Sequence, residues 1–145
     1  MTSPKTFRCA LALAFGFLVL ASLTAAADDK KDTKDTRAPS GVWALQGGEM
    51  KLEFADKDVL KISPHGKDEL ILVLCKYTLG KDGTVEATIT ELEGKAKAKA
   101  AELLPVGLKF TFKWMAKDDK ATLDDVKGDK VEALKSHLEG KYDRK

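Results

Sequence analysis

The chain has 145 residues, a third of them charged, with 25 Lys and Arg against 23 Asp and Glu. That near balance argues against a general binder of nucleic acid or acidic membrane, which needs a surplus or a patch of positive charge. The length suits one domain with one core, and the absence of any repeat of solenoid type argues against an array.

Lys5 and Arg8 precede an apolar run over residues 9–23, and Ala25 and Ala27 supply small side chains ahead of Asp28 and Asp29. This is the pattern of a secretory leader, residues 1–27, cleaved after Ala27. The apolar run falls short of the ~20 residues that a membrane-spanning helix needs. Cys9 precedes the run, whereas a lipidated cysteine follows one, so a lipoprotein is not indicated. The expected address is secreted or periplasmic. Removing residues 1–27 takes away Lys5 and Arg8, brings acids and bases into balance and leaves Cys75 as the sole cysteine. A single thiol provides no internal disulfide, so the fold must rest on its apolar core. Residues 28–40 mix charges without one large apolar side chain and read as a flexible charged linker. One β-rich domain is expected over residues 41–145.

Short strand-like runs then alternate with turn signals, as in a sandwich or barrel. Residues 42–45 form a brief first run ahead of Gly47 and Gly48. Met50, Leu52 and Phe54 alternate with Lys51 and Glu53, and Leu60 and Ile62 flank Lys61. The turn at Ser63-Pro64-His65-Gly66 follows. Residues 69–79 are apolar on both faces over their first half and read as a central strand holding a buried Cys75. Residues 80–83 turn the chain into Val85, Ala87 and Ile89, with Gly80 and Gly83 as left-handed turn positions.

Residues 93–104 are rich in alanine, lysine and glutamate and end at Pro105, which predicts a short helix with lysines in water and Ala96, Ala100, Leu103 and Leu104 as its apolar stripe. The strongest strand signal comes next. Leu108, Phe110, Phe112 and Trp114 alternate with Lys109, Thr111 and Lys113, one buried row against one wet row. After a turn at residues 117–120, residues 121–126 form a strand with Leu123 inward. Val131, Leu134 and Leu138 fall at helical spacing in residues 130–139, with Asp129 as candidate N-cap and Gly140 as stop. Tyr142 lies where a last strand would close the sheet.

Gly41-Val42-Trp43 at the start of the domain resembles the Gly-x-Trp signature of lipocalin-like β-barrels. Leu52-Glu53-Phe54, Tyr77-Thr78-Leu79 and Lys81-Asp82-Gly83-Thr84-Val85 extend the likeness. Together with the leader they resemble a small secreted planctomycete paralogous family whose role is unknown. The resemblance implies a mainly β fold: a small antiparallel barrel or strongly curved sheet with one or two short helices. It also implies that Trp43 plugs the barrel floor, with a basic residue of the last strand, Arg144 or Lys141, packed over it. The chain departs from a full lipocalin in its shorter length and in the alanine-lysine insertion at residues 93–104.

Searches for chemistry return few sets. His65 lies in a turn and His137 on the last helix, without the spacing of zinc ligands. No nucleophile elbow, phosphate loop or dinucleotide glycine pattern occurs, and Ser40, Ser63 and Ser136 lack the neighbourhood of a nucleophile. Asp124, Asp125 and Asp129 lack the spacing of a calcium loop. The sequence therefore points to a non-enzymatic exported barrel without cofactor or metal. Its inward residues Trp43, Phe54, Tyr77, Ile89, Phe110, Phe112 and Trp114 fill the interior or line a pocket for a small apolar ligand. The alternative is a module of the cell envelope that docks a partner protein through a sheet edge or the last helix. A hydrolase built from scattered acids is the third reading. Nucleic acid is not an expected partner, and no integral membrane segment is expected after leader removal.

Overall fold

Side-chain alternation carries the chain through strands β1 (Gly41–Leu45), β2 (Lys51–Asp56), β3 (Val59–Ser63), β4 (Leu72–Leu79) and β5 (Thr84–Glu93). Helix α1 (Lys97–Leu103) leads into β6 (Lys109–Lys117) and β7 (Lys120–Gly128), and α2 (Glu132–Leu138) leads into β8 (Gly140–Arg144). The computed structural model describes residues 38–145; the leader and most of the charged linker expected from the sequence lie outside them. Each strand pairs antiparallel with the next, and β8 returns to β1 through the register Trp43↔Arg144 and Leu45↔Tyr142. The result is a closed up-and-down barrel of eight strands with two short helices, the mainly β fold expected from the sequence. Closure pairs the last strand with the first, so no edge remains for a partner's strand to extend.

An up-and-down order sorts the connections by end. The hairpins β2–β3, β4–β5 and β6–β7 lie at one end, the floor, together with Ser40 and Lys145. The connections β1–β2, β3–β4, β5–β6 and β7–β8 lie at the other, the mouth, and carry both helices. Eight strands leave an interior just wide enough for side chains to fill. Leu52, Phe54, Leu60, Ile62, Val73, Val85, Ile89, Phe110, Phe112 and Leu123 are all buried there.

Strict alternation breaks where the barrel bends. One extra residue enters β2 near Ala55, β5 at Thr90 and β7 near Asp125, each against an unbroken partner. Such bulges bend a sheet and shift which residues face inward. In β7 the buried set runs Ala121, Leu123, then Val126, and Asp125 takes a positive φ of 55° at the step. In β5 the Thr90 hydroxyl donates to the Leu74 carbonyl at 3.1 Å beside the bulge.

Four local expectations need correction. The strand read over residues 69–79 begins only at Leu72, and Leu70 is 41 % exposed. The Glu69 and Leu70 carbonyls instead accept from the amides of Lys95 and Ala96, which ties this corner to the start of α1. Gly83 adopts φ 80° in the β4–β5 turn, whereas Gly80 is not left-handed. Of the expected stripe only Ala100 in α1 and Leu104 at its C-cap are buried. Ala96 sits exposed at the N-cap and Leu103 is 60 % exposed, because a seven-residue helix is too short to complete the stripe. Asp129 does not cap α2; the N-cap is Val131, without a side-chain hydrogen bond, and the left-handed Lys130 intervenes.

Candidate functional site

Trp43, Phe54, Tyr77 and Trp114 meet as one aromatic cluster. Trp114 is its hub: its ring centroid lies 5.3 Å from Trp43, edge to face, 5.1 Å from Phe54 and 5.8 Å from Tyr142. Phe54 continues the chain of rings to Tyr77 at 5.4 Å. Such tilted and edge-on geometries are those in which the positive rim of one ring meets the negative face of the next. Phe110 and Phe112 form a separate stacked pair at 6.1 Å, and Ile89 is buried in the same core. All the residues singled out from the sequence therefore share one interior, but they divide into a ring cluster and a Phe pair.

The sequence reading missed Tyr142 as a member of the cluster. Its signal was present: Tyr142 stands between Lys141 and Asp143 in the period of a half-buried strand. Arg144, two residues further on, places its guanidinium carbon 5.8 Å from the centre of the Trp43 ring. Of the two basic residues that the resemblance offered, Arg144 thus takes the place over the tryptophan. Lys141 pairs with Thr122 and points to solvent.

Polar tips in an apolar interior need partners. The Trp43 indole Nε1 donates to the Ser40 carbonyl at 3.1 Å, and the Tyr142 hydroxyl donates to the Leu138 carbonyl at 2.7 Å. Trp114 is 5 % exposed, and its Nε1 has no acceptor among the described residues. A buried donor without a partner costs about 1–3 kcal/mol. Trp114 Nε1 is the one buried side-chain nitrogen or oxygen among the described residues left without a partner.

The mouth is closed by apolar side chains of a different kind. Ala100 and Leu104 of α1, Leu108, and Val131, Leu134 and Leu138 of the α2 region join the same core cluster as the barrel. Neither helix has a side-chain cap at its N-terminus. Leu103, the last residue of α1, and Val106 beyond it stand in solvent, Val106 at 61 % exposure.

Titratable groups lie mostly in small surface networks. The Ser63 hydroxyl and the Lys51 ammonium both donate to Asp68, and these two bonds hold its carboxyl below the usual range. Ser63 is buried and committed to that bond, which ties the β3–β4 corner together. At the floor, Lys113 and Thr84 bind Asp82 and lower its carboxyl strongly. Burial pushes the Cys75 thiol up to about 12, so it behaves as a small apolar core residue. His65 lies 3.7 Å from Glu49 in an exposed turn, and His137 is exposed. Among the described residues no three His, Cys, Asp or Glu side chains gather as metal ligands.

A cleft of about 630 Å³ crosses β4 to β7. It is lined by the outward-facing Lys76, Thr78, Glu86, Lys109, Thr111 and Lys127, by Asp58 of the β2–β3 turn, and by residues between them that include Tyr77 and Phe110 of the sequence-predicted set. It therefore lies on the outer wall, and the inward rings of Phe54 and Trp114 take no part in it.

The fold and this interior define the class as a closed eight-stranded β-barrel with an aromatic floor. Compared with protein-family models, curated proteins and solved structures, the chain matches none.

Proposed function

We propose that the protein is an exported, non-catalytic barrel of lipocalin-like type that takes a small apolar ligand into its interior through the mouth. One observation carries this reading: a largely apolar interior, ring-lined at the floor, is covered at the mouth in part by α1, a seven-residue helix that buries a single residue of its own and lacks side-chain caps. Cofactor and ligand sites are mostly apolar, with a few placed polar groups, and the mouths of β-barrels are a recurrent place for them. A helix with so little burial opens at small cost, which allows a guest to enter without unmaking the barrel. The leader pattern of residues 1–27 supports the exported address. The likeness at Gly41–Trp43, with Arg144 over the Trp43 ring, favours the lipocalin-like group, and the planctomycete family is proposed on the sequence resemblance alone.

Native mass spectrometry of the protein purified from its own cells tests the reading. A retained small apolar mass, lost on extraction with organic solvent, is the expected result. A ligand-free spectrum, together with tryptophan emission indifferent to apolar probes, overturns it.

A second reading, docking of a partner protein, is favoured by the outer cleft alone. Barrel closure removes the sheet edge as its route, and the solvent side of α2 carries the polar Glu132, Lys135 and His137. A partner would therefore meet the lysine- and threonine-lined wall of β4 to β7.

A further inference from the structure

The three buried polar tips of the ring cluster are unequal. Trp43 and Tyr142 each find a backbone carbonyl, from Ser40 and Leu138. Trp114, at the centre of the ring cluster, finds none among the described residues, although it too is buried. Folded proteins pair nearly all buried donors, so an orphan at the hub of the cluster asks for an acceptor from outside the chain. Its surroundings restrict what that acceptor can belong to. The rings of Trp43, Phe54 and Tyr142 lie 5.1–5.8 Å from the indole, and no charged side chain is buried among the described residues. A fully ionised guest would lose its hydration without a counter-charge. A neutral acceptor on a hydrocarbon body meets both demands.

We propose that Trp114 Nε1 is the polar handle of the interior site, and that it selects guests carrying a neutral oxygen acceptor, such as a ketone, ester or ether, on an apolar body. The proposal rests on the reading of the interior as a ligand site and adds the chemical class of the ligand.

The test is a two-by-two comparison on the full chain. Hexan-2-one and hexane are titrated against the natural protein and the Trp114→Phe variant, which keeps a ring but removes the donor. The substitution weakens hexan-2-one about tenfold, the scale of one hydrogen bond, and leaves hexane within about twofold. In the natural protein, labelled with nitrogen-15, the Trp114 indole proton moves downfield on adding the ketone and not on adding hexane. Equal weakening of both probes, or of neither, overturns the handle while leaving apolar binding intact. Failure of the natural protein to bind either probe overturns the ligand reading and the handle together. An indole proton that exchanges with an internal water and ignores the ketone overturns the handle even where the variant does not fold.

Discussion

The two ends of the barrel are built by different means. At the floor, large rings lock against one another, tight hairpins join the strands, and the last strand is pinned to the first. The Lys145 amide donates to the Val42 carbonyl at 2.9 Å and the Arg144 amide to the Asp119 carbonyl at 2.9 Å. At the mouth, two seven-residue helices lie over the core on a few aliphatic contacts, and exposed apolar side chains trail from one of them. The difference teaches where rigidity and access divide. Ring clusters resist local opening because each member loses several contacts at once, whereas a short uncapped helix can lift at the cost of one or two side chains.

The largest expected effect follows from truncating the hub. Trp114→Ala removes contacts to Trp43, Phe54 and Tyr142 together and lowers the unfolding free energy by about 3–5 kcal/mol in urea titration.

Glycines sharpen the same contrast. A Cβ at Gly83, at φ 80°, would lie 2.8 Å from the Trp114 carbonyl oxygen, while one at Gly107, at φ 91°, meets nothing within 4 Å. Gly107→Ala at the mouth costs about 1–2 kcal/mol of backbone strain alone. Gly83→Ala at the floor costs more, because the carbonyl must also move. Paired denaturation curves check the order, and a Gly107→Ala loss as large as that of Gly83→Ala would break the comparison.

The pH dependence of stability has two limbs. The Cys75 thiol is raised from an ordinary 9.0 to about 12 by burial. A group whose value is raised on folding contributes stability that is whole below the ordinary value. That stability is lost as pH rises toward the folded one. Burial raises the Tyr142 phenol too, so the barrel weakens from about pH 9 upward through Cys75 and from about pH 10 upward through Tyr142. On the acid side, Asp68 and Asp82 are lowered, so their stabilisation is present above the ordinary 3.8 and is lost as pH falls through their folded values. Both carboxylates are exposed, and the acid limb is the shallower. Melting temperatures across pH check the asymmetry, and thiol labelling at neutral pH is slow in the folded protein.

Smaller effects remain. Arg144→Gln loses the contact with the Trp43 ring and lowers stability by about 0.5–1 kcal/mol, the range of an exposed cation–π pair. Leu103→Ser and Val106→Ser at the mouth stay within about 0.5 kcal/mol of the natural protein. Hydrogen exchange gives the last check: amides of α1 exchange well before those of β1 and β6.

Much of this division was legible in the residues. Leu108, Phe110, Phe112 and Trp114 face inward as their spacing predicts, and so do Leu52, Phe54, Leu60 and Ile62. Alternation is a local property of an extended chain, so sequence carries it directly. Val131, Leu134 and Leu138 likewise reach the core from the spacing that predicted them. The corners were less legible. Leu70 reads as strand because it is apolar, yet its carbonyl is claimed by the Ala96 amide, a partner distant in the chain. Val126 reads out of phase with Leu123 until the bulge at Asp125 is known.

Composition and period alone determined a β-rich domain, its inward row and the buried thiol of Cys75, because each depends on neighbours a few residues apart. Closure of β8 onto β1 was decided by tertiary structure, since it joins residues at opposite ends of the domain. The same holds for the meeting of Trp43, Phe54, Trp114 and Tyr142, drawn from four strands. Which buried donors find a carbonyl depends on where loops and helix ends come to rest. Only the folded barrel could leave Trp114 Nε1, alone among the described residues, without one.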